Sequence, residues 1–272
     1  MIQKHLAGKH NQQNHGRRFN IDLSSRVPIG NDVVFALSLF ESIKTGIVGG
    51  QDSIKRKINR VTKRSGLDRH IVKSWIKEWD RAATGTVISD SLQETVAEMF
   101  GIKSNTVKTN VNNTEQTGSR PAGVNYMARK LMGSLVLDDT PLQEVDDKVM
   151  KRAAIGAKIM RRKFLQAIYD ETQDALFNAS TKEMTVYRGI NSNAAPNGVI
   201  QTTESTLSSW SANIEIANEF ALAKQGAVLV TTIPASRIFS LSFTGIGMTN
   251  EQELVILGGP IVARKFSAQE LI

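Results

Sequence analysis

Thr249–Leu257 reads TNEQELVIL. Glu251 and Glu253 stand two residues apart and lead into Leu254-Val255-Ile256-Leu257, an apolar run that predicts a buried strand. Side chains on a strand alternate faces, so both carboxylates are expected on one side, at the mouth of that strand. Like charges held so close repel, and a cationic group is expected between or opposite them: a substrate, an intermediate or an arginine. Arg188, on an earlier strand-like segment, is the candidate arginine.

The texture around this strand agrees with it. From about residue 181, short apolar runs alternate with Gly, Ser, Asn and Pro: Met184–Tyr187, Val199–Thr202, Val228–Ile233, Ile238–Leu241, Leu254–Leu257 and Ile261–Ala263. That alternation predicts a compact sheet-rich unit. One helix interrupts it, from about Asn213 to Ala223, with Ile216, Ala217, Phe220 and Ala221 expected on its inner face.

Upstream the periodicity is helical. Residues 32–48 are capped by Asn31 or Asp32 and closed by Gly49-Gly50. Residues 52–64 form a very basic helix, carrying Lys55, Arg56, Lys57, Arg60, Lys63 and Arg64. Asp68 caps a third helix, through Trp79, on which Ile71, Val72, Trp75, Ile76 and Trp79 make an apolar stripe. The pair from Arg56 to Trp79 loosely resembles a DNA-reading helix-turn-helix, but Trp75 and Trp79 occupy core positions, which favours ordinary packing. Residues 89–101 predict a helix ended by Gly101, 103–123 a loop and 124–135 a short helix. A long helix is expected from about Leu142 or Asp146 to Phe177, with Val149, Ala153, Ala157, Met160, Phe164 and Ile168 as its buried stripe. The expected fold class is therefore α+β. A flexible arm spans 1–31, a basic helical domain 32–180 and a mixed-β domain 181–272.

The bulk properties narrow the chemistry. The 272 residues carry a net charge of +8 and no cysteine, which excludes disulfides, thiolate metal sites and a cysteine nucleophile. No apolar run approaches the roughly 18 residues that span a bilayer, so no membrane partner is expected. Residues 181–272 hold 6 Lys/Arg against 7 Asp/Glu, so the other 28 basic residues face 19 acidic ones in 1–180. That basic part suits nucleic acid or an acidic partner, or is a set of solvated helices. His5, His10 and His15 recur at fives, which does not suit ligands on one helix face, and no metal site is expected.

Three segments of the β-rich part carry candidate chemistry. Val186-Tyr187-Arg188-Gly189 places an arginine beside a glycine that would let a phosphate-bearing ligand approach. Leu207-Ser208-Ser209-Trp210-Ser211 precedes the helix at Asn213, where hydroxyls either cap the helix or bind a ligand. Glu251-Gln252-Glu253 is the third. In this order the three resemble the arginine–serine–glutamate class of mono-ADP-ribosyltransferases, the clade shared by bacterial toxins and phage enzymes, over about residues 184–263. The segment Tyr169–Leu176 is similar to the helical lead-in of phage proteins with this domain. The string HLAGKHNQQNHG at 5–16 resembles N-terminal segments of phage head-associated proteins.

The resemblance implies an ADP-ribosyltransferase fold over 181–272 and NAD as substrate, with no metal. Arg188, with Gly189 beside it, matches the arginine that holds the NAD diphosphate. Ser209 and Ser211 match the outer serines of a Ser-Thr-Ser motif, with Trp210 in place of the threonine. Glu253 matches the glutamate that contacts the nicotinamide ribose. Glu251 matches the residue associated with arginine acceptors, on a mobile loop at Thr244–Asn250. The implied activity is transfer of ADP-ribose to an arginine of a host or phage protein, in the host cytoplasm after infection, with or without packaging in the virion. Such a carboxylate offsets the positive charge that develops on the ribose as its bond to nicotinamide breaks. Two further readings stand beside this one. One is transfer to nucleic acid, or NAD hydrolysis. The other is a head-associated structural protein with a degenerate domain, against which the intact Arg188, Ser209, Glu251 and Glu253 weigh.

Overall fold

The computed structural model describes residues 21–29, 32–48, 54–81, 87–102, 147–191, 198–223 and 226–267. It contains both helices and an antiparallel sheet, the α+β class that the periodicity predicts. The expected loop at 103–123, the short helix at 124–135 and the three histidines of the arm lie outside the described residues.

Among the described residues, four helices come first: α1 (Asp32–Val48), α2 (Ile54–Ser65), α3 (Arg69–Arg81) and α4 (Val87–Phe100). Their ends follow from local chemistry. Gly66 has φ 66°, a conformation open to glycine, and its N–H closes α2 on the Thr62 carbonyl at 3.0 Å. The Asp68 carboxylate accepts the His70 N–H at 2.7 Å and starts α3. Gly101, at φ 68°, ends α4, and the Ile102 N–H returns to the Ala97 carbonyl at 3.1 Å. The long helix α5 (Asp147–Asn178) ends without a glycine. Ser180 takes φ 52° there, and the Thr181 N–H bonds the Leu176 carbonyl at 2.9 Å.

The sheet is built from β1 (Glu183–Ile190), β2 (Gly198–Ser211), β3 (Ala227–Pro234), β4 (Ile238–Leu241) and β5 (Glu253–Ser267), with α6 (Ile214–Leu222) between β2 and β3. β1 pairs with β3 along its length, from Glu183↔Pro234 to Ile190↔Ala227. β2 pairs with β5 from Gly198↔Lys265 to Ser211↔Glu253. The start of β3 pairs with the end of β5, and Tyr187↔Ser211 joins β1 to β2. Strands β1, β2, β5 and β3 thus form a closed circuit, with β4 added beside the beginning of β5. Two expected short strands, at 254–257 and 261–263, are one strand bent at Gly258-Gly259. There the β2 backbone bulges between Glu204 and Leu207. A methyl group on Gly258 would lie 1.8 Å from the Ser205 carbonyl oxygen, so only glycine fits.

The change of texture near residue 180 is not a boundary between cores. Val61, Trp75, Val96 and Phe164 of the helices share one buried cluster with Leu207, Phe239, Val255 and Leu257 of the strands. A second cluster packs Phe40 and Ile43 of α1 on Met184, Trp210, Leu254 and Ile256. Trp75 is buried and Trp79 packs against the first cluster, as expected of helices that face a core. The inner face of α6 carries Ala217, Asn218 and Ala221, whereas Phe220 is 46% exposed, because the stripe is rotated from the expected one.

The arm reading fails for 21–29. Arg26 bridges to Thr232, with N–H to carbonyl bonds of 2.9 and 2.8 Å in the two directions, and its side chain pairs with Glu183. The Ser25 hydroxyl accepts the Val262 N–H at 2.7 Å. Arg237, fully buried, donates to the carbonyls of Leu23 at 2.6 Å, Leu257 at 2.8 Å and Pro260 at 2.9 Å. These bonds tie the segment to the sheet.

Candidate functional site

The site gathers where β2 ends and β5 begins. Ser211 lies opposite Glu253 and Ser209 opposite Val255, so the serines and Glu253 share one face of the sheet. Trp210 alternates to the other face, into the core with Leu254. Glu253 is only 6% exposed. The Met248 N–H donates to its Oε2 at 2.6 Å, and the Ser209 hydroxyl also donates to the carboxylate. Burial pushes Glu253 above the usual carboxylate range. The Ser209 and Met248 donors oppose this, the Asp80 charge adds to it and the Lys57 charge offsets it.

Glu251 reaches the site by a different route from the one expected. It is not on the strand. Thr249–Glu251 form a single 3-10 turn, and Gln252 takes the left-handed conformation (φ 47°, ψ 42°). Strand alternation therefore does not relate Glu251 to Glu253. They are still near enough that Glu253's charge adds to burial in raising Glu251. Ser211 secures this turn, donating to the Glu251 carbonyl at 2.9 Å and accepting the Asn213 N–H at 2.9 Å. Asn213 caps α6 by accepting the Glu215 N–H at 2.9 Å. Ser211 and Asn213 hence do structural work, while the exposed Ser209 faces the carboxylate.

Among the described residues, no ion pair or hydrogen bond joins Arg188 to either glutamate. It is paired with Glu204 of β2, and its guanidinium carbon stands 5.9 Å from the Trp210 ring centre. A cation whose charge acts on Glu253 is Lys57, from α2. Gly189 has a different use from the expected one. A methyl there would lie 2.3 Å from the Ala217 carbonyl oxygen and 2.8 Å from the Ala221 nitrogen, so the glycine admits α6 rather than a ligand. The expected mobile loop is largely packed. Thr244, Gly245, Ile246 and Gly247 are buried, the Thr244 hydroxyl lies 2.7 Å from that of Thr172 on α5, and exposure begins at Thr249 and Asn250.

Asp80 and Glu204 were not singled out from the sequence, and Lys57 was read only as one cation of a basic helix. Lys57 held a signal: it precedes Ile58 and lies four residues before Val61, on the apolar face of α2, where a solvated lysine does not belong. Glu204 had none, because the bulge that aims it depends on Gly258 in a distant strand.

Among the described residues no cluster of three or more His, Asp or Glu side chains could hold a metal ion, and no helix is long and apolar enough to cross a membrane. No family model, no curated protein and no solved structure matches the chain.

Proposed function

We propose that the chain is an NAD-dependent mono-ADP-ribosyltransferase that transfers ADP-ribose to an arginine of a host or phage protein and releases nicotinamide. The observation that carries this is Glu253: a buried carboxylate at the head of β5, held by Ser209 and the Met248 N–H, with Glu251 on the adjoining turn. An arginine on β1, serines on β2 and the glutamate on β5, within an antiparallel circuit, support an ADP-ribosyltransferase fold.

In this reading Glu253 holds the ribose hydroxyl and stabilises the positive charge on the anomeric carbon. The glycosidic bond to nicotinamide breaks, and its electron pair neutralises the pyridinium. A guanidinium nitrogen of the acceptor gives its proton to Glu251 and forms the new bond to the anomeric carbon. Raising Glu251 by burial makes it a better base than an exposed glutamate. Arg188 takes the NAD diphosphate by exchanging it for Glu204. The exposed Lys55, Arg56 and Lys63 of α2 suit an acidic face on the acceptor.

The test is nicotinamide release by the full chain with a small guanidino compound as acceptor. Glu253→Gln is expected to lose both transfer and NAD hydrolysis. Glu251→Gln is expected to lose transfer while keeping hydrolysis. Wild-type release that neither substitution changes would overturn the assignment.

A further inference from the structure

The helical half reaches the proposed catalytic carboxylate through an ion pair whose lysine is buried and whose aspartate is partly exposed. Lys57 of α2 is 3% exposed, and its Nζ lies 3.1 Å from the Gly247 carbonyl oxygen and 3.5 Å from Asp80 Oδ2. Asp80, near the end of α3, accepts the Gly247 N–H on its other oxygen at 3.3 Å. Both polar groups of the Gly247 backbone are therefore held by one charge pair from two helices. The next N–H along the chain, that of Met248, is the one that holds Glu253 Oε2 at 2.6 Å. Gly247 has φ 123°, and a methyl there would lie 3.2 Å from Ser242 Cα, so the turn needs glycine. Arg60, one turn further along α2, takes the Phe243 carbonyl at the other end of the loop.

We infer that Lys57 and Asp80 are positioning residues for Glu253: they clamp Gly247 so that the Met248 N–H aims at the carboxylate, and they set the charge that the carboxylate faces. The inference rests on the transferase reading for its kinetic consequence but not for its geometry. A buried ion pair is costly to desolvate, and apolar residues of similar volume often stabilise as well or better. Its distinctive product here is electrostatic. Among the described residues, the ionisable groups around Glu253 and its turn include Lys57 on α2, Asp80 on α3, Glu251 on the preceding 3-10 turn and Glu41 on α1, which accepts the Gln252 side-chain N–H at 3.2 Å. Lys57 favours the ionised carboxylate and Asp80 disfavours it, so the two partners act on it with opposite signs. A role confined to packing gives no such opposition.

The experiment uses the full chain as wild type, Lys57→Met, Lys57→Arg, Asp80→Asn and Glu253→Gln. Nicotinamide release is followed against pH, and the Glu253 carboxyl is titrated by carbon NMR, with Glu253→Gln identifying its resonance. Lys57→Met is expected to lower kcat about tenfold or more, with the KM for NAD nearly unchanged, since a misplaced reacting group costs rate. It should move the acidic limb of the kcat profile and the carboxyl titration to higher pH. Asp80→Asn, which keeps an oxygen for the Gly247 N–H, should move both to lower pH. Lys57→Arg keeps the charge and should restore the titration. Unchanged or same-direction titrations in folded Lys57→Met and Asp80→Asn would overturn the inference. A wild type that releases no nicotinamide, yet whose variants titrate in opposite directions, would retire the transferase reading and leave the clamp standing. Should Lys57→Met not fold, Asp80→Asn decides by itself: a shift to lower pH supports the clamp, and no shift overturns it.

Discussion

The Glu204 carboxylate on β2 holds the guanidinium of Arg188 on β1, and its charge also acts on Arg237, which is completely buried. One carboxylate thus serves a half-exposed arginine and an enclosed one. Burial lowers Arg237 to about 10, and Glu204 opposes that shift ahead of Asp22.

Glu204→Gln therefore has two expected effects. Arg188 loses a competitor for the diphosphate, and the KM for NAD should fall by a few-fold, in keeping with the ~0.2–1 kcal/mol of a solvent-accessible pair. Arg237 loses a compensating charge, and denaturant unfolding at neutral pH should show a loss of stability. Steady-state kinetics and urea melts separate the two.

Glu253 couples stability to pH with a definite sign. Its folded pKa is raised above 4.5, so between these two values the folded state binds more protons than the unfolded state. Stability from this group is therefore complete below the unfolded pKa and is lost as pH rises through the folded one. Glu253→Gln cannot ionise and keeps an oxygen for the Met248 N–H. Relative to wild type its melting temperature should rise as pH increases from about 4 to 7. A constant difference across that range would contradict the raised carboxylate.

Gly189→Ala should destabilise by about 1–3 kcal/mol, the range for overpacking, because its methyl would strike the α6 backbone. Gly198→Ala, at the start of β2, meets nothing within 4 Å and should stay within roughly 0.5 kcal/mol of wild type. Urea unfolding of the pair checks both.

Arg237→Met strips the carbonyls of Leu23, Ser24, Leu257 and Pro260 of their shared donor. A loss of about 1–3 kcal/mol is expected, since the buried Leu257 carbonyl and three partly buried ones lose their donor. The segment from Ile21 to Arg26 should lose amide-exchange protection before the β1–β3 ladder does, which hydrogen exchange can follow residue by residue.

Much of the architecture could be read from spacing. Val72, Trp75 and Ile76 marked the buried side of α3, Gly101 marked the end of α4, and the apolar run at Leu254–Leu257 marked the centre of β5. Ser209 and Glu253 were also recognisable, because a hydroxyl before a helix and a carboxylate before an apolar strand are local patterns. The errors fell where a local rule met a distant neighbour. Glu251 and Glu253 looked like strand neighbours until Gln252 turned left-handed, and Gly189 looked like a ligand's opening until α6 filled it.

The amino-acid sequence by itself determined the elements, their apolar faces and the residue types available at the end of β5, because periodicity and capping act over a few neighbouring residues. Tertiary structure alone decided which charges meet. The charges of Lys57 and Asp80 act on Glu253, Arg188 stands with Glu204, and the segment around Arg26 lies on the sheet. All but the Arg188–Glu204 pair join residues more than a hundred positions apart, and they depend on how helices pack on strands and where β2 bulges. No local pattern encodes that geometry.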